Sequence, residues 1–347
     1  MKILKISKLF VLNFLSFFYS KLIILSLVYN QILLKKKIFY SNSLGFGDNI
    51  MFYLNNYIKI KKKNYFVFHF CKQIDQPINF FFPKARIIYP FISIPFFIYY
   101  RCVQKIKKSI IFSPSINEKE WNILLNNKNR DSFRKLIKIK LRNYKPNSKV
   151  ENFLQKKKKF FCFFIKLGSH ENDLLGSNSR ATANKDKIFK IINYLIKENF
   201  NIAILGLNRD PSIPVIKKYV RINNLNKNVH FLINLSPTYS FKDQLLLAEN
   251  SEGYIGNGSG VAEIFFYLKK KALIFDHIYQ DYLNLPHFLS YRKTLFKKIS
   301  IDNSGYKLLD PRLIESISKH DNKNNYKILE NSYDSIITEL ENYFLLK

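Results

Sequence analysis

From residue 160 onward, short apolar runs alternate with segments of helical spacing. FFCFFIK (Phe160–Lys166) is continuously apolar, the pattern of a strand buried on both faces. Ile188, Ile191, Ile192 and Leu195 share one helical face and predict a helix over Asp186–Glu198. NIAILG predicts a strand ending at Gly206, Pro214–Val220 a short helix, NVHFLIN a strand and Phe241–Glu249 a helix. GYIG then predicts a strand, Val261–Leu268 a helix and KALIFD a strand. This βαβαβαβ order predicts a parallel, doubly wound α/β sheet. Tyr326–Leu346 has the spacing of a terminal amphipathic helix.

The first half repeats the order less clearly. Ile38–Ser41 predicts a strand, SNSLGFGDN a glycine-bearing loop, Ile50–Ile60 a helix and NYFVFHF a strand to Phe70. ARIIYP and SIIFSP (Ser109–Pro114) read as further strands. Residues 117–158 are charged and helical in pattern, and turn-rich NYKPNSK (Asn143–Lys149) reads as the linker between two domains. Before all this stands Leu9–Leu34, apolar apart from Lys21 and a few Asn, Ser and Gln, with lysines on both flanks. No small-residue cleavage site follows it, which argues against a signal peptide. Lys21 near its centre argues against a full span. A wide apolar face bordered by lysines suits a helix lying in an anionic membrane surface, and a helix packed on the protein's own core is the competing reading. The expectation is a cytoplasmic protein held peripherally on the inner face of the cell membrane.

Composition changes the picture little. With 57 Lys+Arg against 25 Asp+Glu the net charge is +32, a balance that suits nucleic acid or an anionic surface. Lys, Asn, Ile, Phe and Tyr are all abundant, the bias of A+T-rich codons, and no nucleic-acid motif accompanies the charge. No nucleic-acid partner is therefore expected. Cys71, Cys102 and Cys162 stand apart among apolar residues and read as buried thiols in a reducing compartment.

The candidate chemistry gathers at EGYIGNGSGVAEIFF, which holds four of the ten glycines: Gly253, Gly256, Gly258 and Gly260. GNGSG falls at the carboxyl end of a predicted parallel strand, where open α/β sheets bind ligands. Glycines admit a bulky ligand close to the backbone, and a helix start offers N–H groups to a phosphate. Four exceed what a turn needs, so Gly256, Asn257, Gly258, Ser259 and Gly260 are assigned to phosphate binding. Val261 stands where a dinucleotide fingerprint places its third glycine, and no phosphate-loop GK[ST] follows. Lys166 and Arg180 leave the same predicted sheet edge and are the expected cations, with Arg209 a weaker one. Glu263 reads equally as a hydroxyl-binding acid or as a first-turn acid favoured by the helix dipole. Asp48 is the general-base candidate, with a helix N-cap as its alternative; His69 and His170 are further candidates.

The stretch from Phe160 to Gly206 together with YIGNGSGVAEI resembles bacterial glycosyltransferases of the GT-B type, found singly or attached to tetratricopeptide repeats. Arg180 and ATANKD stand in that family's R-N-x-D region, and Gly256–Gly260 in its closing I-G-T-x-S-G loop. The family's His-Val-Arg-like triplet is Phe164-Ile165-Lys166 here, with lysine in place of arginine. SLGFGDN, with Gly45 and Gly47, is similar to the first glycine loop of GT-B enzymes and would face the acceptor. The resemblance implies two Rossmann-like domains facing a cleft. It divides the chain into an apolar segment (1–36), an acceptor domain (37–150), a nucleotide-sugar domain (151–325) and a C-terminal helix (326–347). It implies sugar transfer from a nucleotide-sugar to a glycan or lipid-linked acceptor, with no cofactor and no metal. The absence of any D-x-D agrees with metal independence. The alternative is a catalytically inactive membrane-surface scaffold binding anionic glycan or lipid.

Overall fold

The computed structural model describes residues 37–41, 65–69, 110–113, 127–157, 159–168, 181–206, 210–237, 240–278, 291–301, 305–309 and 326–345. The chain divides into two compact units, Met1–Ile116 and Asn117–Lys347. In the first, β1 (Lys37–Ser41), β2 (Tyr65–His69) and β3 (Ile110–Ser113) form a parallel sheet in the order β2-β1-β3. These are three of the strands expected from the apolar runs. Leu9–Leu34 lies outside the described residues, among which no helix is long and apolar enough to cross a membrane.

The second unit opens with α1 (Asn127–Arg142) and α2 (Ser148–Lys156). β4 (Phe160–Phe164), α3 (Lys185–Lys197), β5 (Asn201–Ile204), α4 (Ser212–Ile222) and β6 (Val229–Phe231) follow. Then come α5 (Leu232–Leu235), α6 (Phe241–Asn250), β7 (Gly253–Gly256), α7 (Ala262–Leu268), β8 (Ala272–His277) and β9 (Arg292–Phe296). The six strands lie in the order β6-β5-β4-β7-β8-β9, and every neighbouring pair is parallel. The chain starts at β4, winds outward to β6, returns beside β4 and winds out the other way. That is the doubly wound Rossmann order, with its switch point between β4 and β7.

Alternation explains how both faces are covered. Phe161, Phe163, Ile202, Ile204, Ile255, Leu273 and Phe275 lie in one core with Ile188, Ile191 and Ile192 of α3 and Ile213 and Ile216 of α4. On the other face Phe160 meets Phe153 of α2 edge-on at 4.9 Å, and Tyr254 meets Phe265 of α7 at 5.1 Å. Each such buried aromatic stabilises the fold by roughly 2–3 kcal/mol. Cys162, fully buried in β4, has its thiol pushed up to about 12 by that burial.

Three expectations differ from the structure. Asn143–Lys149, read as the linker, lies inside the second unit: Tyr144 donates to Asp243 Oδ1 at 2.9 Å, and Asp243 is buried in α6. The hydroxyl and carboxylate stitch the turn to the sheet's helices, so the compact unit begins at Asn117 rather than after residue 150. Second, the terminal segment is not one helix. β12 (Tyr326–Leu329) pairs antiparallel with β10 (Lys298–Ile301), which also pairs with β11 (Lys307–Leu308). Ser332 Oγ then caps α8 (Tyr333–Leu340), accepting from Ser335 N at 3.1 Å, and a π-turn over Glu341–Leu345 follows. Third, NVHFLIN stays extended only to Phe231 before α5 begins.

Candidate functional site

The two loops that leave the sheet at its switch point are tied together by one amide. Asn257, directly after β7, is 1% exposed. Its Oδ1 accepts from Lys166 N at 2.7 Å, and its Nδ2 donates to Thr182 Oγ1 at 3.1 Å and Phe275 O at 3.3 Å. Its own N–H donates to Phe164 O at 3.0 Å. The assigned ligand contact at Asn257 is thus a clamp spanning β4, β7 and β8, its side chain spent on the protein itself. Tyr254 supports the same turn from below, donating to Asn257 O at 2.7 Å with Ser259 Oγ at 3.5 Å. Burial raises the Tyr254 phenol well above its usual range, which keeps it a donor.

The glycines answer to packing at three of four positions. Gly256 has φ +156°, a conformation side-chain-bearing residues avoid, and a Cβ there would strike the Phe164 carbonyl. A Cβ at Gly258 would enter the His277 imidazole, and one at Gly253 would meet Lys271 O and the Phe344 ring. At these three positions close approach of protein atoms by itself accounts for glycine. Gly258→Val would strike His277, so it cannot isolate a ligand role for this glycine. Ser259 and Gly260 are half-buried, at the mouth of the loop. α7 has seven residues and receives no side-chain cap from Val261, so the helix end adds little to the loop.

Lys166 is half-buried at the end of β4. Its carbonyl accepts from Thr182 N at 2.8 Å, and Leu167 bridges Thr182 in parallel register. The two flanks thus lie side by side, with Gly168 N also donating to Thr182 O at 3.2 Å. Arg180, Arg209, His170, Asp48, Gly45 and Gly47 lie outside the described residues. Ala181, next to Arg180, is fully buried and its carbonyl accepts from Lys297 Nζ. ATANKD opens α3, with Asn184 Oδ1 capping Lys187 N at 3.0 Å.

Behind these loops lies a buried polar network that no sequence motif marks. Asp276, in β8, is 0% exposed and left-handed at φ +51°, where the strand is irregular. Its Oδ2 accepts from Thr182 Oγ1 at 2.6 Å and from Lys187 Nζ at 2.8 Å; its Oδ1 accepts from Asn331 N at 2.8 Å. Lys187 Nζ also reaches Glu330 Oε2 at 3.0 Å, and Glu330 Oε1 accepts from Ala183 N at 2.6 Å. Lys297 completes the group; burial lowers its ammonium to about 8, partly opposed by Asp276 and Glu330. A left-handed aspartate costs about 1–2 kcal/mol and persists because its bonds over-determine it. Asp276 at the end of an apolar run was the one visible signal; its partners lie far off in sequence.

Glu263 pairs with Arg292 Nη1 at 3.5 Å, and both are largely buried. The ion pair gives the acid a packing role at the foot of α7. Among the described residues no group of three or more His, Cys, Asp or Glu is placed to hold a metal ion.

No protein-family model matches the chain, and no curated protein matches it. Among solved structures it is similar to ADP-heptose LPS heptosyltransferase II of E. coli, at 10% identity over 89% of this chain and 98% of that one, TM-score 0.46. It is similar to a family 9 glycosyl transferase from Veillonella parvula DSM 2008, at 9% identity over 89% and 97%, TM-score 0.45. A UDP-GlcNAc 2-epimerase from Methanocaldococcus jannaschii, solved with UDP-GlcNAc and UDP, gives 12% identity over 89% and 99%, TM-score 0.39. Likeness at this level assigns neither activity nor ligand; the fold rests on the strand order itself.

Proposed function

We propose that the chain is a glycosyltransferase of GT-B architecture, moving a sugar from a nucleotide-sugar donor to a glycan or lipid-linked acceptor in cell-surface polysaccharide synthesis. The observation that carries this reading is the Rossmann switch point between β4 and β7, with both emerging loops clamped by Asn257. Open α/β sheets bind ligands outside the carboxyl ends of their strands at such a point. In this reading the donor diphosphate lies over Gly256–Gly260, held by loop backbone and Ser259. Lys166 and Arg180 supply the positive charge. Fixed dipoles and cations stabilise the leaving nucleotide without a metal, and Asp48 takes the proton from the acceptor hydroxyl. The left-handed Asp276 supports the reading, since local strain gathers where a loop must be held in one shape.

The test is a thermal-shift screen of the folded protein against ADP-, UDP-, GDP-, CMP- and dTDP-sugars, followed by calorimetric titration. At least one donor should raise the melting temperature, by the equivalent of about 2.7 kcal/mol at a hundredfold excess over Kd. Lys166→Ala should weaken that binding by about 1.5–3 kcal/mol, the scale of a charge-assisted bond. If no nucleotide stabilises the protein, the transferase reading falls. The surviving alternative is then the inactive scaffold, which the protein-filled glycine positions favour.

A further inference from the structure

The second unit carries a hollow at the β6 edge of the sheet, away from the switch point. β6 is its outermost strand, and α4 runs alongside. Between them lies a cavity of about 700 Å³ lined by Lys217, Lys218, Arg221, Asn226, His230 and Asn234 among others, with no carboxylate in its wall. Strands lie about 4.8 Å apart, so β6 stands some 10 Å from β4 and further from the β7 loop.

Three cations on one short stretch of helix are costly to gather. Lys217 and Arg221 are four residues apart on α4 and so share a face, where like charges repel by about 0.2–0.5 kcal/mol. Lys218 and Arg221 are exposed, and neither forms an ion pair with any described residue. Lys217 extends over the Phe231 ring at 5.4 Å, which holds its ammonium against the β6 side of the hollow. Asn226, His230 and Asn234 also line the hollow. His230 is itself braced, its ring edge-on to Phe153 at 4.9 Å. Two ammonium groups, a guanidinium fork and amides around one concavity match the oxygens of a phosphate. The volume exceeds a bare phosphate and suits one carried on a small polar body.

We propose that the hollow between α4 and β6 is an anion site, separate from the switch-point loops, that takes the phosphate group of a headgroup or sugar phosphate. It does not depend on the transferase reading, because none of its residues belongs to those loops.

The His230 ring-proton resonance, assigned with His230→Gln, reports from β6 beside this wall. The full chain is titrated with pyrophosphate and, separately, with vesicles of equal parts phosphatidylglycerol and phosphatidylcholine. Pyrophosphate should move the His230 signal saturably. In Lys217→Gln/Arg221→Gln, two substitutions in the wall of the hollow, its affinity should fall at least about tenfold, the loss of one charge-assisted bond. Lys298→Gln/Lys307→Gln, removing two exposed charges elsewhere, should leave it unchanged. Vesicle binding weakened by the α4 variant and competed by pyrophosphate assigns a lipid headgroup; vesicle binding indifferent to the variant assigns a soluble phosphate. An unmoved His230 signal, or an equal loss in the control variant, overturns the proposal. Nucleotide-sugar stabilisation should persist in the α4 variant, which keeps this test distinct from that of the switch-point loops.

Discussion

Gly258 and His277 offer a direct test of why the β7 loop is rich in glycine. A Cβ at residue 258 would lie inside contact distance of the His277 imidazole. That ring has little room to yield: it is 3% exposed and stacks on Phe296 with centroids 6.3 Å apart. Gly258→Ala therefore overpacks a filled site and should cost about 1–3 kcal/mol. His277→Ala removes the ring and should itself cost about 2–4 kcal/mol through the cavity it leaves. Made in that background, Gly258→Ala should cost no more than about 0.5 kcal/mol, because the methyl now enters vacated space. The coupling is the difference of those two costs, about 0.5–3 kcal/mol, against a scatter of about 0.3–0.5 kcal/mol for independent sites. Urea denaturation of the four proteins at constant m-value measures it. If the two costs simply add, His277 is not what excludes a side chain at 258, and the packing account of this glycine is wrong.

Gly256→Ala should behave differently: its obstacle is the Phe164 carbonyl, so no side-chain deletion should rescue it, and a rescue found in a library of neighbouring truncations would contradict the geometry. Lys187→Met leaves the Asp276 carboxylate buried without its cation and should cost about 3–5 kcal/mol, whereas Lys187→Met/Asp276→Asn should recover most of it in the same denaturation assay. Lys297 gives a pH signature. Its folded value of about 8 lies below the ordinary 10.5, so between those values the unfolded chain holds more protons and stability rises with pH. Lys297→Met lacks that rise. The advantage of the variant over the parent should shrink by about 1–2 kcal/mol from pH 7.5 to 9.5, while the opposing titrations of buried Cys162 and Tyr254 cancel in the difference. A constant gap would show that Lys297 titrates normally.

The parallel sheet was legible because its strands are short, continuously apolar and separated by helical spacing. Phe160–Phe164 and Ala272–His277 need no tertiary context to be seen. β9 was hidden because Arg292 and Thr294 occupy buried positions in Arg292–Phe296, which breaks the apolar run. The terminal helix was overextended for a related reason. Tyr326 and Leu329 fit helical spacing while Tyr326 and Ile328 fit strand alternation, and only pairing with β10 decides between them. The loop was found in the right place, but glycine count alone could not distinguish room for a ligand from room for His277 and the Phe164 carbonyl. The Asp276 network was illegible because its members, Thr182, Lys187, Lys297, Glu330 and Asn331, meet only after the sheet has formed.

The last elements of the chain also fix when folding can finish during synthesis. Ile336 and Leu340 of α8 are fully buried in the same core as α3, and Phe344 packs on Phe161 at 4.8 Å. Glu330 and Asn331 close the shell around Lys187 and Asp276. A ribosome that has made every strand still holds back the residues that seal one face of the sheet, so the nascent unit leaves the tunnel with an apolar seam open. It should complete folding only once Leu340 has cleared the exit tunnel, and translation-arrest force measurements should register no folding pull before that point. Until then that seam is what a chaperone or a protease would meet, and a stop codon ahead of Ile336 should leave it open for good.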